Sequence, residues 1–137
     1  AYEDIGLANP SIGPKVMAAI HAATLVGFPE ARIPLAEIVI EMALSPKSNT
    51  AHVALDNAIA DVETGRAGPI PVYLRGGGTP EYKYPHDYKG SYIYQQYLPD
   101  NLKKKKYYIP KSESKYERAL AEIDQKIAEI KKKNESS

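Results

Sequence analysis

The chain has 137 residues, 43% of them apolar, with no Cys and no Trp. That length suits one domain, or a small core with an appendage. It buries about two-thirds of its unfolded surface and leaves no room for a complete nucleotide-driven motor. Lacking Cys, it has no disulfide framework, thiolate metal site or cysteine nucleophile, and a reducing compartment is expected. The 18 basic and 17 acidic side chains nearly cancel, but residues 1–68 hold four bases and eight acids, while the remainder is basic. Neither half is the strongly basic block of a dedicated nucleic-acid binder.

The chain opens Ala1-Tyr2-Glu3-Asp4, with acids where a secretory signal carries bases and without an initial Met, which fits a piece of a longer protein. No apolar run approaches the roughly 20 residues needed to span a bilayer, so no membrane partner is expected. From Pro14, the residues Val16, Ala19, Ile20 and Ala23 recur at helical spacing. Gly27 should end that helix in a left-handed conformation, and Pro29 blocks its continuation. Pro34 suits the first turn of a second helix, where its missing N–H costs nothing. Leu35, Ile38, Val39 and Met42 give that helix its apolar face, and Ser45-Pro46 closes it.

Ser48 or Asn49 is placed to cap a third helix with apolar face Leu55, Ala58, Ile59 and Val62, ended by Gly65. Short links make the three helices antiparallel neighbours, and a compact helical core over residues 1–68 is expected. Residues 69–112 change character, with closely spaced Pro, Gly76-Gly77-Gly78 and eight Tyr from Tyr82 to Tyr108. Pro forbids a long helix there, and broken alternation argues against a sheet. An extended arm packed on the core is expected, with one helical turn near Ile93–Tyr97 and its Tyr hydroxyls paired. Over residues 113–137, Tyr116, Leu120, Ile123, Ile127 and Ile130 form a narrow heptad seam capped by Ser112 or Ser114. Glu122–Lys126 and Glu129–Lys133 are favourable i, i+4 pairs, and Lys131-Lys132-Lys133 suits the negative end of the helix dipole. The fold class is all-α.

Candidate chemistry is sparse. His52 and Asp56 share a helix face, and His86-Asp87 resembles a metal-holding dyad, but neither has an evident third ligand. The first reads more simply as a surface or cap-adjacent pair, and the second as an imidazole hydrogen-bonded in a packed turn. Gly76-Gly77-Gly78 lacks the Lys-Ser or Lys-Thr of a phosphate loop and reads as a connector. Pro46-Lys47-Ser48-Asn49 places a base and two small caps at a helix start, which could receive a phosphate, but a stop-and-restart corner explains the same residues. Lys103, Lys104, Lys105 and Lys106, with Lys83 and the neighbouring Tyr97, Tyr107 and Tyr108, could hold nucleic-acid phosphates and stack bases; charge runs are more often merely solvated. No catalytic, cofactor-binding or metal residue is assigned.

The punctuation as a whole resembles one family. Glu3-Asp4-Ile5-Gly6-Leu7-Ala8, Gly27-Phe28-Pro29-Glu30-Ala31-Arg32-Ile33-Pro34-Leu35-Ala36 and Pro46-Lys47-Ser48-Asn49 are similar to the C-terminal region of the RarA/MgsA replication-associated recombination AAA+ ATPases. Their eukaryotic relatives are the Werner-helicase-interacting proteins. Tyr82-Lys83-Tyr84-Pro85-His86-Asp87, Gln95-Gln96-Tyr97-Leu98-Pro99 and Tyr107-Tyr108 continue the match in order. The resemblance implies an all-helical segment after the ATPase and its lid that assembles the protein into a homotetramer. Pro46, Lys47, Ser48, Asn49, Tyr84, Pro85, His86, Asp87, Gln96 and Tyr97 are then structural members of the family motifs. It also implies ATP and Mg in an ATPase module absent from this chain, and a full-length DNA-dependent ATPase acting in replication, recombination and repair at stalled forks. Partners would be DNA, through the full-length protein, and single-strand-binding or other replication proteins, in a cytoplasmic, nucleoid-associated setting. One departure is the short stretch Gly76–Glu81 before the Tyr-Lys-Tyr-Pro-His-Asp motif, where the family usually has a longer one; either the loop is short or residues are missing from it. Three readings follow: an oligomerisation domain, a direct DNA-binding module on the basic arm, and a small metal-dependent hydrolase around His86 and Asp87.

Overall fold

The structure, a computed structural model, describes residues 1–76 and 79–135, so Gly77 and Gly78 of the expected connector lie outside the described residues. Four α-helices carry the fold: α1 (Ile12–Val26), α2 (Arg32–Leu44), α3 (Thr50–Glu63) and α4 (Lys115–Glu135). Short 3-10 turns punctuate the connections, and no strand occurs among the described residues. The fold is all-α. By its internal contacts the chain forms two compact units, one of residues 1–55 and 108–124, the other of residues 56–107 and 125–137.

In the first unit α1 and α2 form a helical hairpin. Lys15, near the start of α1, pairs with Glu41, near the end of α2, which fixes the two helices as antiparallel. Ile5, Ile12, Ala19 and Ile38 make the buried core, with Val16 and Met42 packed against it. Gly27 ends α1 with its N–H on the Ala23 carbonyl, 3.0 Å away. Its φ is positive as expected, but ψ is 174°, so it occupies a glycine-only extended region rather than the left-handed helical one. Pro14 and Pro34 both fall in the first turn of their helices.

The expected third helix, α3, is divided between the two units at residues 55 and 56. The only substantial helix–helix packing among the described residues is α1 on α2, and Leu55, Ile59 and Val62 of α3 are exposed. Periodicity finds an apolar face correctly but does not say what covers it. The start of α3 is anchored instead by polar groups. Ser48 takes the capping role, its Oγ 3.4 Å from the Thr50 N–H. Ser114 caps α4, accepting the Glu117 N–H at 3.0 Å. The Glu117 carboxylate, 0% exposed, accepts hydrogen bonds from the Thr50 and Tyr108 hydroxyls. One buried charge therefore ties the N-terminal turns of two helices that are far apart in sequence.

The second unit contains most of the Pro- and Tyr-rich segment. The expected helical turn at Ile93–Tyr97 is not formed; turns occur at Val72–Leu74, Pro85–Asp87, Lys89–Ser91 and Asp100–Leu102. The reason is competition from side chains for the backbone. Gln95 Oε1 accepts the Lys83 N–H at 2.8 Å, the Gln96 carbonyl accepts the Tyr73 hydroxyl at 2.6 Å, and Gln96 Nε2 donates to the Leu98 carbonyl. These bonds hold the strip extended. No helix among the described residues is long and apolar enough to cross a membrane.

Burial alone would raise the Glu117 carboxyl. The Ser48 and Thr50 hydroxyls, the Lys111 backbone N–H and the Tyr108 hydroxyl outweigh it and hold the group below its ordinary 4.5. A carboxyl depressed in the fold takes up its proton more readily when unfolded. Its stabilising contribution is therefore full above the unfolded value and is lost as pH falls through the folded one. Urea unfolding between about pH 3 and pH 7 should show this acid limb. Glu117→Gln should flatten it while costing about 1–3 kcal/mol at neutral pH, the penalty for a mispaired buried polar group.

Candidate functional site

Two constellations collect the residues singled out from the sequence. The first is the corner between α2 and α3. Lys47 Nζ donates to the carbonyls of Met42 and Ser45, at 2.8 and 2.7 Å, and so satisfies the last turn of α2. The Ser48 N–H donates to the Asp4 carbonyl at 2.7 Å, and Lys111 Nζ donates to Asn49 Oδ1 at 2.7 Å. A shallow cleft of about 350 Å³ is lined by Asp4, Lys47, Ser48, Asn49 and Lys111. Both of its amines are already engaged by protein oxygens, and Asp4 contributes a carboxylate. The geometry is that of a stop-and-restart corner and not of an anion receptor.

The same corner explains why the N-terminal segment carries a glycine. Gly6 has φ +44°, and a Cβ there would lie 2.8 Å from the Ser48 carbonyl oxygen. Asn9 Nδ2 adds a hydrogen bond to Ser45 Oγ at 3.1 Å. The segment Glu3–Ala8 thus docks on Pro46–Asn49, joining two motifs that are forty residues apart.

The second constellation lies in the other unit, around the end of α3 and the lysine-rich turn. Asp61, 2% exposed, accepts Tyr107 Oη at 2.9 Å and Lys105 Nζ at 3.0 Å on Oδ2, with Arg66 Nε 3.5 Å from Oδ1. Its own carbonyl receives the Arg66 and Ala67 N–H groups and so closes the helix. The hydrogen bonds from Lys105 and Tyr107 depress the Asp61 carboxyl, and burial opposes them. Burial, followed by the bond to Asp61, raises Tyr107. Asn101 clasps the chain after the helix, its Oδ1 accepting the Gly68 N–H and its Nδ2 donating to the Arg66 carbonyl. Lys103, Lys104, Lys105 and Lys106 remain exposed on the turn that follows. Lys131 of α4 donates to the Lys103 carbonyl at 3.3 Å and lies 5.8 Å from the centre of the Tyr94 ring. Lys105 lies 5.7 Å from that of Tyr107.

His86 and Asp87 are exposed in the 3-10 turn begun by Pro85, with the Tyr84 and His86 rings 5.0 Å apart and tilted. No group of three or more His, Asp or Glu converges as a metal ion requires among the described residues. Gln96 is half-buried and hydrogen-bonded, and Tyr97 is exposed. The sequence reading missed Glu117, although Ser114-Lys115-Tyr116-Glu117 is a capping-box pattern that flags it. Asp61 and Tyr94 carried no local signal; their partners lie tens of residues away.

The chain matches the model of the MgsA AAA+ ATPase C-terminal family over residues 1–128. It belongs to that family. It is 51% identical to the Replication-associated recombination protein A of Bacillus subtilis over 140 residues, covering 96% of this chain and 33% of that protein. The namesake protein of Escherichia coli K12 is 32% identical over 120 residues, covering 80% and 27%. The ATPase WRNIP1 of Dictyostelium discoideum is 30% identical over 118 residues, covering 79% and 14%. The chain therefore spans a third or less of the curated relatives it matches. In this MgsA C-terminal segment the corner at Pro46–Asn49 holds the Asp4 carbonyl and the end of α2, and the Asp61 cluster holds Tyr107, Lys105 and Arg66 at the end of α3. Replacing Gly6 by Ala should destabilise the first unit by about 1–3 kcal/mol, since the backbone is strained for an L side chain and the Ser48 carbonyl blocks the Cβ. Thermal unfolding of the variant checks this.

Proposed function

We propose that this chain is the self-associating C-terminal module of an AAA+ ATPase that acts in replication-associated recombination, with a homotetramer as the assembly. The observation that carries the reading is the composition of α1 and α2. Their sequences, IGPKVMAAIHAATLV and RIPLAEIVIEMAL, are apolar nearly all round. A helix of that kind belongs inside a larger structure. Yet each helix buries only one stripe, and Met17, Ile20, Leu25, Val26, Ile33, Val39, Ile40 and Leu44 are all exposed, Leu44 at 81%. Stable monomers rarely leave so much contiguous apolar surface open to water.

A second copy is the occupant that family membership supports. The hairpin offers a groove of about 330 Å³ lined by Ala18, Ala19, Ala22, Pro34 and Ile38 and rimmed by the charged Lys15, Glu37 and Glu41. Catalysis in the longer protein, with ATP and Mg, belongs to the part of the relatives that this chain does not span. Contacts with DNA and with other replication proteins, at the nucleoid, are expectations for that longer protein.

Light scattering on the purified chain tests the proposal. An assembly of several 15.1 kDa chains at micromolar concentration is expected. Val39→Lys and Leu44→Lys lie outside the buried core and should dissociate it with helicity intact. Each buried side chain of that size is worth about 1.5–3 kcal/mol, roughly ten- to a hundredfold in the association constant. A clean monomer of the parent chain would reject self-association and leave the missing ATPase module as the cover for this surface.

A further inference from the structure

Helices α3 and α4 are packed inside out. On α3 the side chains that the fold covers wholly or in part are Thr50, Ala54, Ala58 and Asp61, whereas Leu55, Ile59 and Val62 are exposed, Val62 at 64%. On α4 the covered stripe is Glu117, Leu120, Ala121 and Asp124, and Ile123, Ile127 and Ile130 are exposed. Each helix therefore turns polar and small residues inward and offers an apolar stripe to water, the reverse of an ordinary surface helix. The two stripes have the same period. Leu55, Ile59 and Val62 step by +4 and +3, as do Ile123, Ile127 and Ile130, which is the spacing of a coiled-coil seam.

We infer that the stripe of α3 in one copy of this chain packs in parallel along the stripe of α4 in a second copy, with Glu63 facing Lys126. The inference rests on the self-association proposed above and adds to it an interface distinct from the faces of α1 and α2. The seams match layer for layer. Aligned in one direction, Leu55 meets Ile123, Ile59 meets Ile127 and Val62 meets Ile130. In a parallel pair the residue before one seam layer lies beside the residue after the partner's next layer. That register sets Lys126, which precedes Ile127, against Glu63, which follows Val62; both are exposed. Pairing like with like is poorer. Two α4 stripes in the same orientation would set Lys126 against Lys131, and two α3 stripes would leave that of α4 uncovered. Cross-pairing about a two-fold axis covers both stripes, makes the contact twice and closes on itself. Joined to another through α1 and α2, such a pair makes the homotetramer a dimer of dimers.

The chain has no Cys, so engineered thiols make cross-linking specific. Glu63→Cys and Lys126→Cys chains, mixed and treated with a short bismaleimide, should give a covalent dimer, and either variant alone should give little. Light scattering on the whole chain supplies a second readout. Ile127→Lys should weaken this contact at least about a hundredfold, because an apolar layer is lost from each of its two copies. Val39→Lys and Ile127→Lys should each leave a dimer, and the two combined a monomer. Glu63→Lys or Lys126→Glu alone should weaken association about two- to tenfold, and the double exchange should restore it. Circular dichroism checks that the variants keep their helicity, and the cross-link and charge exchange decide if Ile127→Lys does not fold. Absence of the mixed cross-link would overturn the inference. So would an assembly that Val39→Lys reduces to monomers and Ile127→Lys leaves intact, which would spare the role of α1 and α2. Equal cross-linking by Lys126→Cys alone would overturn it in favour of paired α4 helices, and a monomeric parent chain would overturn both readings.

Discussion

The hydrogen bond between Thr50 and the buried carboxylate of Glu117 is the constraint on which the first unit turns. Helix termini leave N–H groups without intrahelical partners, and two such termini face one another across this contact. Ser48 and Ser114 cap the two helices, and Glu117, itself capped by Ser114, supplies the charge that both helix starts favour. Burying an isolated carboxylate is costly, but hydroxyl donors and two positive dipole ends compensate it. With the start of α3 held this way, the corner at Pro46–Asn49 is fixed, and the Glu3–Ala8 segment has a surface to dock on. Lys111, which follows the Tyr-rich segment, closes the same corner through Asn49. Apolar packing holds α1 to α2, and polar bonding holds everything that joins them.

The second unit repeats the logic with Asp61 in place of Glu117. A carboxylate near a helix C-terminus would ordinarily be unfavourable, because the dipole there is negative. Arg66 and Lys105 reverse the local field, and the Tyr107 hydroxyl completes the bonding. This explains how a segment rich in Pro and Tyr stays ordered without regular structure. Tyr73 and Tyr107 each contribute a ring and a donor, and Gln95, Gln96 and Asn101 replace the missing backbone ladder.

What was legible in the sequence was local. Pro14, Pro34, Gly27, Gly65 and Ser114 mark helix ends through their own backbone chemistry, so the four helices could be placed from them. The Ile93–Tyr97 strip could not, because its conformation is decided by Lys83 and Tyr73, bonded from residues distant in the chain. The faces of α3 and α4 were found by periodicity, but a periodic pattern is the same whether its cover is this chain or another. Of the candidate site, the motif Pro46–Asn49 was visible and its role ambiguous until the amines of Lys47 and Lys111 were seen to be engaged. Lys131–Lys133 illustrate the same limit. Read locally they complement a helix dipole; the contact of Lys131 with the Lys103 carbonyl joins them to a turn 28 residues earlier.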